Sequence, residues 1–450
     1  MNLDELLQSA AQRSLNYLHG IGDRRVFPDR EALDRLNRLG GNLPDHGERP
    51  EDVLAMLDEI GSPATVATTG GRYFGFVNGA TLPASLAANW LAGAWDQNVG
   101  LWIETPVGAY IEEVCLGWLR QILNLPDETG VGFVTGATMA NFTGLLAARH
   151  SVLEQVGWDV ESNGLFGAPP ITVIVGDEVH ASLLRALSLL GLGRERVIRV
   201  SADGQGRMVP DAMPQITPPA IVCIQVGNVN TGACDPAGQI CDIAHSSNAW
   251  VHVDGAFGLW AVADPKRNHL VDGVQKADSW ATDCHKWLNV PYDSGLVFVR
   301  DPKTLEAALR FSAAYLATDN RREPMRFTPE MSRRARAVEV WAALRSLGKR
   351  GLAEMIDRTC RHAQTFAAGL KAAGYAVLND VVLNQTLVSF GDDEKTRKVI
   401  GSVQNDGTCW CGGTVWHGRA AMRISVSSWA TTDDDVQQSI DAIVRIADQC

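Results

Sequence analysis

The sequence predicts an α/β protein, in which a large domain built on a mostly parallel sheet with helices on both faces precedes a small α+β domain. Two patterns predict this fold class. Between residues 135 and 300, short β-branched runs alternate with helical stretches, which is typical of parallel sheets. After residue 331 the charge density rises, and a long helical pattern is followed by two strand-like runs and a final helix.

The first 70 residues are predicted to form a helical and partly extended arm. Amphipathic runs at 3–18, 30–39 and 50–59 predict three helices, and the glycine- and proline-containing segment 40–44 interrupts them. Three short helices bury too little apolar surface to fold alone. We therefore expect the arm to pack on the main body or on a second subunit.

The large domain, residues 71–335, contains the predicted sheet. Its strands are short runs rich in valine, isoleucine and other apolar residues. The runs are 171–175, 197–200, 221–226, 250–254, 279–282 and 295–299. In such a sheet, ligands bind beyond the carboxyl ends of the strands, so residues that follow these runs are the first candidates for a functional site.

The small C-terminal domain, residues 336–450, is predicted to begin with a helix that follows the charged run 333–336. Strands are expected at 382–390 and 421–426, and the last helix near residue 431. Helices and strands in this order indicate an α+β lobe.

The composition favours a protein that acts on a small molecule. A net charge of -12 without a basic run argues against nucleic acid or an anionic membrane as the main partner. The N-terminus lacks a basic and apolar leader, and no stretch of about twenty apolar residues occurs. We therefore expect a cytoplasmic protein with no membrane partner.

Cysteine usage predicts neither disulfides nor a metal site. The nine cysteines stand mostly alone, in apolar or helical surroundings, which indicates reduced thiols. Cys409 and Cys411 form the only close pair, with His417 nearby. Their spacing does not match the usual zinc patterns, so no metal is expected.

Lys286 is the first candidate catalytic residue. It stands between a histidine and a tryptophan, directly after a predicted strand. Apolar surroundings disfavour the charged form of a lysine and make its amine more nucleophilic, as a Schiff base requires. An ordinary surface lysine beside a packing tryptophan would explain the same pattern.

Asp254 is the second candidate, at the end of the run 250–254. Strand periodicity would place His252, Asp254 and Ala256 on one face. A carboxylate there could point into a cleft and keep a pyridine nitrogen protonated, which makes the ring an electron sink. Alternatively, Asp254 is a turn aspartate before a glycine.

Two further elements follow apolar runs. The segment 135–141 opens a helix, and its small residues would let backbone N–H groups approach a phosphate, which the helix dipole favours. His180, in the segment 177–182, could lie flat over an aromatic ring. Either element could be an ordinary helix start. The order of the four elements along the chain nevertheless favours a pyridoxal phosphate site. The segment 135–141 comes first, followed by the histidine, the aspartate and the lysine.

These residues resemble the pyridoxal-phosphate-dependent group II amino acid decarboxylases, which include aromatic L-amino acid, histidine and glutamate decarboxylases. The resemblance runs from 72–76 through 102–113 and the four elements above to Arg333, Arg334, Trp341 and Arg423. It implies pyridoxal-phosphate fold type I, the aspartate aminotransferase-like fold with a mostly parallel seven-stranded sheet. It also implies a homodimer whose active site is built from both subunits.

The resemblance implies a role for each candidate residue. Lys286 would hold pyridoxal 5'-phosphate as a Schiff base, His180 would stack on its ring, and Asp254 would pair with the ring nitrogen. The remaining cofactor-binding residues would be Ala256 beneath the ring, and Gly136, Ala137, Thr138 and His285 around the phosphate.

The implied reaction is α-decarboxylation of an L-amino acid to an amine and carbon dioxide. Tyr315 stands where the family carries a tyrosine that protonates Cα, which is general-acid catalysis. Relatives with phenylalanine there release an aldehyde in the presence of oxygen, so Tyr315 favours simple decarboxylation. An oxidative aldehyde synthase, a carbon–carbon lyase and a non-catalytic cofactor-binding protein stay open as alternatives.

The amino acid substrate is less determined, with an aromatic one favoured. Tyr73, Phe74 and Trp102 would line an apolar pocket, although each could equally be a core residue. Arg333 and Arg334 are expected to anchor the dimer or a loop rather than to bind a second substrate carboxylate.

Two segments depart from the family pattern. The run 227–231 is poor in hydroxyl groups, which leaves any cofactor contact from it open. Asp283 stands where animal aromatic decarboxylases tend to carry asparagine. A carboxylate beside a phosphate is unfavourable unless it is turned away or held by a cation.

Overall fold

A computed structural model describes residues 2–310 and 321–450 of the chain. The described residues form two compact units. The larger unit comprises Thr81–Arg361 and Asn379–Gln385. The smaller unit comprises Met1–Ala80, His362–Leu378 and Thr386–Cys450. The N-terminal residues are thus grouped with the C-terminal sheet. Tyr315 lies outside the described residues.

Helices and strands alternate through most of the described chain. The α-helices are α1 Leu3–His19, α2 Arg30–Asp34, α3 Pro50–Met56, α4 Ser62–Ala64, α5 Pro83–Trp95, α6 Pro106–Ile122, α7 Ala137–Glu154, α8 Val160–Asn163, α9 Ala181–Leu189, α10 Ala237–Ser246, α11 Pro302–Ala308, α12 Ala337–Ala372, α13 Asp393–Asp406 and α14 Asp433–Gln449. The strands are β1 Tyr73–Phe74, β2 Gly130–Val134, β3 Thr172–Gly176, β4 Ile198–Val200, β5 Ala220–Gln225, β6 Trp250–Asp254, β7 Ser279–Asp283, β8 Gly295–Val299, β9 Ala376–Val377, β10 Gln385–Ser389, β11 Trp410–Trp416 and β12 Arg419–Ser425.

Shorter helical turns complete the secondary structure. The 3-10 turns are Arg35–Leu39, Pro210–Ala212, Gly258–Ala263, Asn268–Val271, Val274–Lys276 and Pro324–Phe327, and a π-helical turn spans Leu57–Gly61. The predicted helix at 30–39 is therefore one α-helical turn continued by a 3-10 turn. The predicted helix at 50–59 passes into the π-helical turn at residue 57.

A seven-stranded sheet forms the centre of the larger unit, in the order β2-β8-β7-β6-β5-β3-β4. Strands β4, β3, β5, β6 and β7 are parallel, and β8 is antiparallel to both of its neighbours. All residues of β2, β6, β7 and β8 are buried. This confirms the predicted mostly parallel seven-stranded sheet. Its strands are mostly apolar, as is typical of strands covered on both faces.

Helix α7 packs on this sheet and carries much of the core. Ala140, Leu145 and Ala148 lie in one buried cluster with side chains from β3, β5, β7 and β8. Small residues on the buried face allow the helix to approach the strands closely. Each fully buried leucine or valine of such a cluster contributes about 1.5–3 kcal/mol. The start of α7 is thereby fixed at the edge of the sheet.

A buried ion cluster links α6 to the chain that follows residue 320. Glu112 of α6 is 1% exposed. Its carboxylate accepts hydrogen bonds from Arg322 at 2.8 Å and from Arg333 at 2.6 Å. The two guanidinium groups also donate to the carbonyl oxygens of Val131 and Phe133 on β2. Arg333 thus anchors the chain to β2 within the larger unit.

The smaller unit contains a five-stranded sheet, in the order β1-β11-β12-β10-β9. The short strand β1 is parallel to β11, and β11 forms an antiparallel hairpin with β12. At the turn, His417 and Gly418 have φ of 47° and 77°, as a two-residue hairpin loop requires. Strand β11 was not predicted from the sequence, because Gly412 and Gly413 weaken its strand pattern.

The C-terminal elements otherwise lie close to their predicted positions. The strand expected at 382–390 is the shorter β10, and the strand expected at 421–426 is β12. Thr432 caps α14 by accepting the N–H of Asp435, whose carboxylate accepts the N–H of Thr432, so the helix begins where the capping pattern predicts. In α12, Gly348 has φ of 61° and interrupts the helix.

The nine cysteines are all free thiols, and eight of them are buried. Burial raises the pKa of the Cys223 and Cys284 thiols, which makes them poor nucleophiles. Within residues 2–310 and 321–450, no helix is long and apolar enough to cross a membrane.

Candidate active site

The candidate site lies at one edge of the seven-stranded sheet. Strands β2, β3, β6 and β7 point in the same direction, so their carboxyl ends meet at this edge. The segments that follow them carry Gly136, His180, Asp254 and Lys286. Ligands bind beyond the carboxyl ends of strands in such folds. The topology therefore gathers the four elements that the sequence singled out.

Helix α7 begins directly after β2 and directs its first N–H groups toward this edge. The N–H of Ala137 donates to the Asp283 carboxylate. A Cβ atom on Gly136 would lie 3.0 Å from the His285 ring and 3.2 Å from that carboxylate, so a larger residue here would require these two side chains to shift. Thr138 is the second residue of the helix. An 18-residue helix attracts an anion to its N-terminus.

Asp283 connects this helix start to the candidate lysine. One carboxylate oxygen of Asp283 lies 3.0 Å from Lys286 Nζ, and the other lies 3.5 Å from His285 Nε2. The carboxylate is thus held by a cation and by an N–H group at the same time. The Lys286 side chain is 18% exposed, whereas that of Asp283 is 3% exposed. The amine is therefore the accessible member of the pair.

His285 is fixed beside them by its own neighbours. The N–H of Ser294 donates to His285 Nδ1 at 3.1 Å, and the ring stacks on Tyr292 with 4.3 Å between centroids. Burial lowers the pKa of His285, although the neighbouring Asp283 carboxylate opposes this effect. A neutral His285 that accepts at Nδ1 carries its proton on Nε2, the nitrogen that faces Asp283.

Asp254 and His180 line the same cavity, together with residues of β3 and β5. Asp254 is 3% exposed. Its carboxylate accepts from Asn141 Nδ2 at 3.1 Å and from the N–H of Ala256 at 3.3 Å. His180 caps α9, where its Nδ1 accepts the N–H of Ser182.

Ala256 lies beyond the end of β6, in a turn. The predicted alternation therefore holds within the strand only for His252 and Asp254, which both reach Asn141. The chain turns at Gly255, whose N–H donates to the carbonyl of Ala281 on β7. The carbonyl of Ala256 then accepts the N–H of Asp283 at 2.8 Å. This bond ties the turn after β6 to the end of β7.

The three candidate pocket residues are distributed between the two units. Tyr73 and Phe74 form β1 of the smaller unit, where Phe74 is fully buried. Tyr73 stacks on Trp410 at 5.2 Å, and Phe74 packs edge-on against Phe366 at 4.9 Å. Both rings thus have partners inside their own unit.

Trp102 belongs to the larger unit and is partly exposed. The Arg321 guanidinium lies over its ring, 4.6 Å from the centroid. Its backbone N–H donates to the Glu323 carboxylate at 2.7 Å. Trp102 is therefore packed against the chain that follows residue 320.

The run 227–231 forms a tight local turn. Asn228 Oδ1 accepts the N–H groups of Asn230 and Thr231, and the Thr231 hydroxyl donates to the carbonyl of Gln205. These polar side chains therefore form hydrogen bonds with backbone groups of this loop and of Gln205.

Two residues beside the candidate site were not assigned a role from sequence. Asn141 bonds to Asp254, and Asp283 bonds to both Lys286 and the start of α7. A signal for Asn141 is visible in the sequence, since it follows Ala137 by four positions and precedes Gly144 by three. A lone amide on a helix face of small residues indicates a polar partner in the sheet.

These groups fit pyridoxal phosphate. An accessible amine suits its aldehyde, a buried carboxylate suits its ring nitrogen, and a helix N-terminus suits its phosphate. The helix start already receives a carboxylate from Asp283, so it takes an anion. The amine, the carboxylate and the helix start therefore match the aldehyde, the ring nitrogen and the phosphate of the cofactor.

The comparisons with known proteins agree with this match. The sequence profile of the pyridoxal-dependent decarboxylase conserved domain matches residues 35–391. The aromatic-L-amino-acid decarboxylase of Bacillus atrophaeus is 26% identical, over 99% of this chain and 98% of its own length. The L-2,4-diaminobutyrate decarboxylase of Rhizobium meliloti is 27% identical, over 91% of this chain and 86% of its own.

The fold has close counterparts among solved structures. A crystal structure of Oryza sativa TDC with PLP and tryptamine superposes with a TM-score of 0.93 at 22% identity, covering 100% of this chain and 99% of the other. This likeness confirms the predicted fold class. Because the family profile covers most of the sequence, the chain belongs to the pyridoxal-dependent decarboxylases, carboxy-lyases that use pyridoxal phosphate.

Proposed function

We propose that this protein catalyses the α-decarboxylation of an L-amino acid, with an aromatic one favoured, to give the amine and carbon dioxide. One observation supports this most. Lys286, Asp283 and the start of α7 are joined by direct contacts, at the edge of the sheet where Asp254 ends the neighbouring strand. This arrangement offers one amine, one buried carboxylate and one anion site.

When bound, pyridoxal phosphate supplies an electron-accepting ring that stabilises the carbanion left by departing carbon dioxide. Lys286 would hold the cofactor through its amine. Asp254 would pair with the ring nitrogen, and the His180 ring would lie against the cofactor ring. Ala256, in the turn beyond Asp254, would pack beneath it.

The start of α7 would bind the phosphate through Gly136, Ala137 and Thr138, with His285 donating from Nε2. In the structure the Asp283 carboxylate accepts the N–H of Ala137, so it would give up that bond to the phosphate. Without the cofactor, Lys286 lies 3.0 Å from this carboxylate and balances its charge.

Tyr315 is the proposed acid that delivers a proton to Cα, by its position in the family pattern. A phenol that donates at Cα completes the simple decarboxylation. It also keeps the reaction from the oxidative branch that releases an aldehyde.

An aromatic substrate is supported by the aromatic decarboxylase among the relatives, and Trp102, which is partly exposed, remains a proposed contact. We also propose a homodimer. Helix α1 buries none of its residues, and Leu3, Leu7 and Leu15 are exposed on it. At spacings of four and eight residues these leucines share one face, which a second subunit would cover.

The proposal is tested with purified protein, pyridoxal phosphate and a panel of L-amino acids, with amine and carbon dioxide quantified by mass. Borohydride reduction followed by peptide mapping should place the cofactor on Lys286. The Lys286→Ala variant should lose both the label and the activity. Lys276→Ala, which removes an exposed lysine paired with Asp242, is the matched control and should keep both. A reducible label on Lys286→Ala protein would refute the lysine assignment, and no carbon dioxide from any amino acid would refute the reaction.

A further inference from the structure

Five side chains form an unbroken line of hydrogen bonds that ends at Asp254. Trp250 Nε1 donates to Ser279 Oγ at 2.8 Å, and Ser279 Oγ lies 2.8 Å from His252 Nδ1. His252 Nε2 lies 2.9 Å from Asn141 Oδ1, and Asn141 Nδ2 donates to Asp254 at 3.1 Å. Every distance is that of a good hydrogen bond.

The line runs inside the core of the larger unit. Asn141, His252 and Ser279 are 0% exposed. Trp250 and Asp254 share strand β6 with His252, at alternate positions on one face. Gly144 of α7 makes room for the imidazole, because a Cβ atom there would lie 2.7 Å from His252 Cε1. The helix, the strand and the neighbouring strand are thus shaped around these bonds.

The Asp254 end of the line determines the direction of its bonds. A carboxylate only accepts hydrogen bonds, so Asn141 must turn its amide nitrogen toward Asp254 and its oxygen toward His252. His252 must then carry a proton on Nε2. Burial lowers the pKa of His252 to about 3, so the ring is neutral and Nδ1 accepts from Ser279.

The opposite end is consistent with this direction. Trp250 can only donate, and the Ser279 hydroxyl accepts from it while donating its own hydrogen to the unprotonated His252 Nδ1. A donor-only group at one end and an acceptor-only group at the other leave a single consistent arrangement. Every polar atom in the line has a partner, so the line has no alternative pattern at low cost.

We propose that Asn141 and His252, supported by Ser279 and Trp250, are positioning residues that hold the Asp254 carboxylate oriented for the cofactor nitrogen. This inference rests on the proposed function, since it takes Asp254 as the partner of that nitrogen. The amide of Asn141 offers only N–H to the carboxylate and so fixes the position of the carboxylate oxygen that accepts it. A neutral His252 adds no positive charge that would compete with the cofactor.

The perturbation of choice is Asn141→Asp, which keeps the shape and replaces the donating amide with a second carboxylate. Two carboxylates at this distance cannot both be ionised. The charge that Asp254 presents to the ring nitrogen is then reduced. Ser279→Ala is the milder second variant, because it removes the hydrogen bond that fixes His252 two positions away from Asp254.

The readout is the dissociation constant of two cofactors, measured by fluorescence titration of each apoprotein. One is pyridoxal phosphate, and the other is its deaza analogue, which carries C–H in place of the ring nitrogen. The wild-type protein should prefer pyridoxal phosphate by about tenfold to hundredfold, as a charge-assisted hydrogen bond implies. Asn141→Asp should lose at least half of this preference on a logarithmic scale, and Ser279→Ala should lose a smaller part.

The matched control is Thr143→Val. Thr143 is buried on the same helix, but its hydroxyl donates to the carbonyl of Met139 and takes no part in the line. It should keep the full preference. If Asn141→Asp and Ser279→Ala weaken both cofactors equally, the residues are merely structural and the inference is wrong. If Asn141→Asp does not fold, Ser279→Ala decides alone.

The cofactor titrations distinguish failure of this inference from failure of the proposed function. Suppose that the wild-type protein binds pyridoxal phosphate and turns over substrate, and that both variants keep the wild-type preference for pyridoxal phosphate over the deaza analogue. That result overturns only this inference. A wild-type protein that does not discriminate between the two cofactors overturns the role of Asp254 itself.

Discussion

The closest backbone approach at the candidate site gives the sharpest prediction. Gly295 begins β8 and lies between the ends of β2 and β7, opposite Val134 and Asp283. A Cβ atom on Gly295 would lie 2.5 Å from Gly136 Cα, 2.7 Å from its carbonyl carbon and 2.8 Å from its nitrogen. All three are backbone atoms at the start of α7, so no side-chain rotation can relieve the contact. Gly295→Ala must therefore displace the proposed phosphate site.

The size of the effect follows from these distances. Ordinary contact begins at 3.4 Å, so the start of α7 must move by about 1 Å relative to β8. A misplacement of about 1 Å can cost about a hundredfold in rate, and overpacking of this kind costs about 1–3 kcal/mol of stability. We expect Gly295→Ala to fold but to lose about a hundredfold in kcat/KM and to bind pyridoxal phosphate more weakly.

The assay is a titration with pyridoxal phosphate followed by steady-state decarboxylation. Gly117→Ala is the control, since Gly117 lies in α6 and a Cβ atom added to it would meet no other atom within 4 Å. That control should keep full affinity and gain about 1 kcal/mol of stability. Wild-type affinity and rate in Gly295→Ala would refute the reasoning, because the close approach would then not define the site.

Two further predictions concern buried charges. Glu112→Gln leaves Arg322 and Arg333 without their shared carboxylate, so we expect a loss of about 3–5 kcal/mol, measured by urea unfolding against Glu354→Gln, which changes an exposed glutamate of α12. His252 has its pKa lowered to about 3 by burial, so below about pH 6.5 the unfolded chain binds a proton that the folded chain does not. Folded stability therefore falls as pH falls from about 6.5 toward about 3, and between pH 6.5 and 5 this single group should cost about 2 kcal/mol. His252→Gln should lack that component when the two proteins are unfolded at both pH values, and equal pH slopes would contradict it.

The sequence was sufficient to predict the sheet because its strands are buried on both faces. The runs 250–254 and 295–299 are mostly apolar, and the first ends at an aspartate while the second begins at a glycine, so their bounds match β6 and β8. In β11 the side chains are small or alternate in exposure. Its strand is formed by pairing with β12, and long-range pairing leaves little trace in local sequence.

The candidate site was predictable to the extent that it follows strand ends. Gly136, His180, Asp254 and Lys286 each come after an apolar run. The partners of these residues were not predictable, because Asn141 reaches Asp254 across 113 positions and Ala137 reaches Asp283 across 146. Such contacts depend on how a helix packs on a sheet, which residue spacing alone does not specify.

The double contact of Asp283 has a consequence for how the protein selects its cofactor. Its carboxylate is an internal counterion, which neutralises Lys286 on one side and satisfies the Ala137 N–H on the other. A simple anion such as sulfate or free phosphate competes with that carboxylate while Lys286 still holds it in place. We expect a ligand that carries both a phosphate and an aldehyde to engage the amine as well, and so to displace the carboxylate from both partners. Such a molecule should therefore bind in preference to a simple anion, which engages the helix start alone.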